Sequence, residues 1–215
     1  MSTELIRITE IFYSLQGEST SIGLPTVFIR LTGCPLRCQY CDTAYAFSGG
    51  QRRTIAAILT ELIDYNCSHV CVTGGEPLAQ RPCITLLQEL CNAGYQVSLE
   101  TSGACDISLV DPRVMIVMDI KTPDSQECDK NLFKNLEYLK PTDQIKFVLC
   151  SRSDYEWACQ IIHDYDLSKR IQLLFSPSWN QLDPTKLANW IVDDRLSVRF
   201  QLQLHKVLWN ETRGC

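Results

Sequence analysis

The sequence predicts an α/β fold: an incomplete (β/α)6-type open barrel of parallel strands. Three observations predict it. Short apolar, β-branched runs alternate with helical patterns along the whole chain, the arrangement of β/α units on a parallel sheet. About six such units occur, short of the eight strands that close a barrel. The segments richest in chemistry also share one placement: each follows a predicted strand, on the carboxyl-end face where β/α barrels build active sites.

The elements follow in order. Strands are expected at 6–11 and 27–31, the second leading into a cysteine-rich loop. A helix then shows one stripe of Ile55, Ile58, Leu59, Leu62 and Ile63 behind a Thr54 cap. The strand 69–73 runs into Gly74-Gly75-Glu76-Pro77. The next helix opens on Pro82, suited to a first turn, and passes Leu86, Leu87 and Leu90 to a Gly94 stop. Strand 95–99 leads to Glu100-Thr101-Ser102-Gly103, and strand 114–119 to Lys121-Thr122-Pro123. Strand 144–149, a helix near 153–165, strand 171–175, a helix near 184–192 and strand 198–204 complete the series. No linker, repeat or low-complexity tract divides it, so one domain over 1–215 is expected.

With 215 residues and 45% hydrophobic content the chain can bury a substantial core. The net charge of −5 argues against a broad nucleic-acid footprint, which wants clustered Lys and Arg. No apolar run reaches membrane-span length, and Met1-Ser2-Thr3-Glu4 lacks the basic start of a signal peptide. A soluble, cytoplasmic protein is expected.

Twelve cysteines are many for this length. A disulfide framework belongs to short secreted chains, which this does not resemble. Cys67, Cys71, Cys83, Cys91, Cys105, Cys128, Cys150, Cys159 and Cys215 are scattered singly and are expected to be packing or surface thiols. Cys34, Cys38 and Cys41 differ, forming a C-x3-C-x2-C run with Tyr40 before the last cysteine. Three such thiolates can hold three irons of a four-iron, four-sulfur (4Fe-4S) cluster, which usually takes four. The fourth iron would stay open to a small ligand. A zinc site would need a second ligand pair, and no second C-x2-C or H-x3-H occurs. A thioredoxin-like redox pair would leave Cys34 unexplained.

This spacing resembles the radical S-adenosylmethionine enzymes, in which the methionine part of the cofactor occupies the open iron. Gly74-Gly75-Glu76-Pro77 is similar to that group's GGEP element, whose backbone and acidic residue contact the cofactor's amino group. A cation in a partly dry pocket suits a carboxylate and carbonyls, and two glycines permit close backbone approach. By resemblance Tyr40 lies near the adenine; core packing is its other reading. A narrower resemblance rests on Leu15-Gln16-Gly17-Glu18, Arg30, the cysteine run with Asp42-Thr43, Thr73 with the glycine pair, and Gln203-Leu204-His205-Lys206. Together these resemble the 7-carboxy-7-deazaguanine synthase family over nearly the whole chain.

The resemblance implies conversion of 6-carboxy-5,6,7,8-tetrahydropterin to 7-carboxy-7-deazaguanine with loss of ammonia, on the route to queuosine. It implies a 4Fe-4S cluster on Cys34, Cys38 and Cys41, S-adenosylmethionine, and Mg2+ on Thr43. It also implies an external one-electron donor such as a flavodoxin, and a homodimer. Leu15, Gln16, Gly17, Glu18, Arg30, Thr73 and His205 would bind substrate. Tyr40, Gly74, Gly75, Glu76, Ser102, Lys121 and Ser176 would bind the cofactor. Residue chemistry agrees: Gln16 and Glu18 match donors and acceptors of a pterin ring, and Arg30 offers a fork to its carboxylate. Leucines alternate along 201–205, so Gln201, Gln203 and His205 are expected to share one strand face. His69 and His163 are expected to be structural. Where relatives carry Ser-Pro-Lys this chain has Asp119-Ile120-Lys121, so only Lys121 transfers, and Ser176 is placed by barrel position alone. Two alternatives remain: a glycyl-radical activating enzyme, which gives no reason for Gln16, Glu18, Arg30 and His205, and a non-enzymatic iron–sulfur carrier or zinc module.

Overall fold

A nine-stranded sheet organises residues 3–214, which the computed structural model describes; Met1, Ser2 and Cys215 lie outside the described residues. In chain order the strands are β1 (Leu5–Leu15), β2 (Pro25–Leu31), β3 (Gln51–Thr54), β4 (His69–Gly74), β5 (Gln96–Thr101), β6 (Met115–Asp119), β7 (Gln144–Leu149), β8 (Gln172–Pro177) and β9 (Arg199–Phe200). Across the sheet they stand β3-β1-β2-β4-β5-β6-β7-β8-β9, so the sheet is open, with β3 and β9 at its edges. Neighbours from β2 to β9 are parallel, as expected of a partial barrel.

Two expectations need correction. The sheet is not parallel throughout, because β1 runs antiparallel to both β2 and β3. The connection 16–24 is shorter than the dozen or so residues a parallel crossover needs, so the chain must return as a hairpin. Strand β3, Gln51-Arg52-Arg53-Thr54, has no apolar alternation to announce it and is a short, charged edge. The expected strand 198–204 also shrinks to Arg199–Phe200, and Leu204–Trp209 forms a short helix instead.

Helices α1 (Ile55–Leu62), α2 (Pro82–Asn92), α3 (Arg152–Asp164) and α4 (Pro184–Asp193) cover one face of the sheet, and α5 (Leu204–Trp209) follows β9. Their starts obey local chemistry. The side chains of Thr54, Ser151 and Asp183 accept the backbone N–H of Ala57, Asp154 and Thr185, while α2 and α4 each open on proline. The crossovers from β5 to β6 and from β6 to β7 contain no α-helix; the second is built from 3-10 turns.

Strand alternation divides the sheet. Ile29, Leu31, Val70, Val72, Val97 and Leu99 meet Ile58, Leu62, Leu86 and Leu90 in one buried cluster. Ile145, Phe147, Leu173 and Phe175 meet Tyr155, Ile162 and Leu187 in a second. The intervening residues point to the other, inner face. There Arg30 pairs in register with Thr73, and Asp119 with Lys146. A polar stripe thus crosses the carboxyl half of an otherwise apolar sheet. Among the described residues no helix is long and apolar enough to cross a membrane.

Candidate active site

A cavity of about 680 Å³ opens on the inner face at the carboxyl ends of the parallel strands. It gathers sixteen of the eighteen expected site residues: Leu15 to Glu18, Arg30, Cys34, Cys38, Tyr40, Cys41, Thr43, Thr73, Gly74, Gly75, Ser102, Lys121 and His205. Glu76 and Ser176 do not line it.

The cysteine loop is held from several sides. Gly33 N–H donates to Ala46 O at 2.7 Å, Gln39 N–H to Ser125 O at 3.1 Å, and Glu76 N–H to Gly33 O at 2.8 Å. The Arg37 guanidinium donates to Cys34 O at 2.8 Å and lies 4.2 Å from the Phe47 ring centre. The glycine pair follows from this packing. A Cβ on Gly75 would stand 2.2 Å from Gly33 O and 2.7 Å from Cys34 Cβ, so any larger residue would lift the loop. Cys34, Cys38 and Cys41 are free and half-buried. Burial, against the pull of Lys121, pushes the Cys38 thiol up to about 11, so thiolate there must be drawn out by metal. Among the described residues no three His, Cys, Asp or Glu side chains converge as for one ion. A cluster asks for no such convergence, since each of its irons takes its own thiolate.

Tyr40 Oη and Asp119 Oδ1, in residues that line the cavity with the cysteines, are buried without a hydrogen-bond partner, as is Ser176 Oγ outside the lining. Lys121 Nζ lies 5.7 Å from the Tyr40 ring centre and 3.1 Å from Asp119 Oδ2. Burial, reinforced by the Asp119 charge, keeps the Tyr40 hydroxyl protonated far above the usual tyrosine range. Buried polar groups left unpaired are costly and mark a place for a polar ligand. Hydroxyls and an ammonium group, as S-adenosylmethionine carries, suit this wall. The residues present fit both the cluster and the cofactor.

Glu76, expected at the cofactor, is held by the scaffold. Its carboxylate is fully buried and accepts from Leu78 N–H (3.0 Å), Thr101 Oγ1 (3.0 Å), Ser102 N–H (2.7 Å) and Ser102 Oγ (2.5 Å). It braces the β5 carboxyl end, which carries Ser102 to the cavity. Ser176 is buried on the inner face of β8, in register with Val148, which does line the cavity.

The other end of the cavity gathers around Gln16 and Glu18. Gln16 Nε2 donates to Glu100 Oε1 at 3.3 Å, and Thr73 Oγ1 to Glu100 Oε2 at 2.9 Å. Glu18 accepts from Lys146 Nζ at 2.5 Å and Gln203 Nε2 at 2.7 Å. Burial would raise its pKa, but the charges of Lys146 and then His205 prevail and bring it down to about 2. His205 reaches the cavity from the first turn of α5, not from a strand face, so the expected alternation does not hold. The grouping survives by another route: Gln201 bonds Ser19 through both its amide atoms, Gln203 bonds Glu18, and His205 abuts Gly17. A Cβ on Gly17 would sit 2.1 Å from His205 Nδ1, which is why glycine stands between Gln16 and Glu18.

Arg30 Nε donates to Glu10 Oε1 at 2.7 Å, and Tyr45 Oη donates to the same oxygen at 2.8 Å. Phe12 and Tyr45 flank the guanidinium. Glu10 engages the Nε edge, and the terminal nitrogens are not spent on it. Thr43 Oγ1 donates to Asp42 Oδ1 at 2.8 Å, and Lys206 Nζ pairs with Asp42 Oδ2 at 2.7 Å. Outside the cavity, Cys71 and Cys83 are buried and Cys67, Cys91, Cys105, Cys128, Cys150 and Cys159 half-buried, all free. His163 is exposed on α3, and His69 sits beside Ser68.

Sequence reasoning missed Glu100, Asp119 and Lys146. The signal for Lys146 was present: one lysine in a strand that is otherwise apolar from Ile145 to Leu149, within a buried parallel sheet.

Residues 28–147 match the family described as the Radical SAM superfamily. The chain is 43% identical to the 7-carboxy-7-deazaguanine synthase of Chlorobaculum tepidum over all of both chains. It is 39% identical to that of Koribacter versatilis, covering 97% of this chain and 100% of the relative. The crystal structure of QueE from Escherichia coli superposes with a TM-score of 0.78 at 22% identity, covering 94% of this chain and 95% of that one, a likeness of fold. Streptococcus suis SuiB bound to S-adenosylmethionine gives 0.54 at 16% identity, covering 80% of this chain and 45% of that one, again fold alone. With the cysteine loop, the polar cavity and full-length identity in agreement, this chain belongs to the 7-carboxy-7-deazaguanine synthase family of the Radical SAM superfamily.

Proposed function

We propose that this chain, acting as one domain in the cytoplasm, is a radical S-adenosylmethionine lyase that converts 6-carboxy-5,6,7,8-tetrahydropterin to 7-carboxy-7-deazaguanine with loss of ammonia. The observation that carries the reading is one cavity joining three half-buried thiols to Gln16, Glu18, Arg30 and His205. Cys34, Cys38 and Cys41 would hold the 4Fe-4S cluster, and Tyr40, Ser102 and Lys121 would meet S-adenosylmethionine beside it. When bound, this pair supplies abstraction of a hydrogen atom from carbon.

The chain's own groups do the rest. The terminal nitrogens of Arg30 match the substrate carboxylate in a bidentate fork. Gln16 and Glu18 present an amide and a carboxylate to the ring's donors and acceptors, and His205 closes that side. The aromatic and apolar wall of Phe12, Phe28 and Val117 excludes water from the reacting carbon. Thr43 and Asp42 offer hard oxygen donors of the kind Mg2+ takes, with water and substrate completing the shell. An external one-electron donor such as a flavodoxin, and a homodimeric assembly, belong to the reading on the family resemblance.

The test is anaerobic turnover of the pterin by the reconstituted protein, with products identified by mass. Formation of 7-carboxy-7-deazaguanine and ammonia in equal amounts, dependent on S-adenosylmethionine and a reductant, is expected, rising with Mg2+. No deazaguanine under any condition, or deoxyadenosine formed only with a glycyl-radical protein, would overturn the assignment.

A further inference from the structure

Lys146 joins the two halves of the cavity through charge, pairing with Glu18 on one side and Asp119 on the other. It rises from the middle of β7, a strand paired on both sides, and its side chain is 12% exposed. Its ammonium lies 2.5 Å from Glu18 Oε2 and 3.5 Å from Asp119 Oδ2. Asp119 Oδ2 also takes Lys121 at 3.1 Å, and the other Glu18 oxygen takes Gln203 at 2.7 Å. One chain of charged and polar contacts therefore runs Gln203–Glu18–Lys146–Asp119–Lys121 across the cavity floor.

The two ends are held by different means. Lys121 and Asp119 belong to the carboxyl end of β6, beside the cysteine loop. Glu18 belongs to the 16–24 connection, a hairpin loop closed by its own backbone bonds and seated on the sheet through Gln201 and Gln144, which accept the N–H groups of Ser19 and Thr20. A cation anchored on a central strand can set where that connection stands relative to the cofactor wall. Transfer of a hydrogen between two bound molecules demands that spacing, with reacting atoms about 3–3.5 Å apart.

We propose that Lys146 is a positioning residue: a buried cation that ties the pterin-binding Glu18 to Asp119 and so fixes substrate against cofactor. Burial favours its neutral form, but the two carboxylates prevail and keep it charged, so its role is electrostatic and not proton transfer. The inference rests on the function proposed above, since it names the pterin as what Glu18 holds.

The test compares the reconstituted full chain with Lys146→Arg and Lys146→Met. Iron content, the Michaelis constant for the pterin, and the ratio of 5′-deoxyadenosine to deazaguanine product are measured. Lys146→Met keeps the stem and removes the charge. It should bind iron and cleave the cofactor, yet lose turnover on the order of 100-fold and raise the deoxyadenosine-to-product ratio at least ~10-fold. Lys146→Arg keeps the charge in a larger planar head and should fall between it and the parent. In Glu18→Gln/Lys146→Met the losses should not multiply, because one contact is removed twice. Lys146→Met with full iron and a parental ratio overturns the proposal, as do multiplying losses; if Lys146→Met does not fold, Lys146→Gln takes its place and a parental ratio there overturns it. A parent chain that converts no pterin overturns the functional reading instead, whatever the variants do.

Discussion

Replacing Glu76 by glutamine separates bracing the scaffold from holding the cofactor. Its Oε1 accepts from the backbone N–H of Leu78 and its Oε2 from that of Ser102. A backbone N–H cannot turn away as a hydroxyl can, so whichever way the amide of Glu76→Gln is set, its NH2 faces another donor. One buried N–H then goes unpaired, at about 1–3 kcal/mol, and the remaining bonds lose their charge assistance, for a total of about 2–4 kcal/mol. In a domain of this size that lowers Tm by roughly 4–16 °C. Thermal unfolding of the cofactor-free protein under nitrogen, followed by circular dichroism, measures it without any ligand. A cofactor-free Tm within ~1 °C of the parent, accompanied by lost S-adenosylmethionine binding, would refute the bracing argument. It would return Glu76 to the direct contact that the resemblance implied.

Three further predictions follow from the site. Cys38→Ala should abolish iron and sulfide incorporation on reconstitution and, with it, cofactor cleavage; full turnover by this variant would remove the cluster assignment. Gly17→Ala would press on His205 and should raise the pterin Michaelis constant ~10–100-fold while iron content stays parental, with a stability loss of about 1–3 kcal/mol. Glu18, ordinarily near 4.5 and held at about 2, binds its proton less readily folded than unfolded. Its stabilisation is therefore complete above pH ~4.5 and disappears as pH falls toward 2, and Glu18→Gln should flatten Tm against pH over that window.

Much of this protein is visible in residue order. Parallel strands of a two-sided sheet must be apolar in runs, so β2 and β4 to β8 announced themselves, and a hydroxyl cap and a first-turn proline marked α1 and α2. The exceptions are segments whose stability comes from outside them. The β3 edge is charged and exists because β1 offers it hydrogen bonds. The chain after Phe200 alternates like a strand, yet its ladder with β8 ends once Gln201 N–H has bonded Phe175 O at 2.9 Å. Leu204 N–H instead bonds Gly17 O at 2.9 Å, and the backbone closes into helix.

Spacing of three cysteines and a glycine pair determined the chemistry available here, because those residues act close together in sequence and need little from the rest. What only the tertiary structure decided is which distant side chains complete the site. Glu76 is drawn inward by four donors on two separate segments, and Lys146 meets Glu18 from 128 positions away. Such pairings depend on strand order and on which face a side chain takes, and neither quantity is written in local composition.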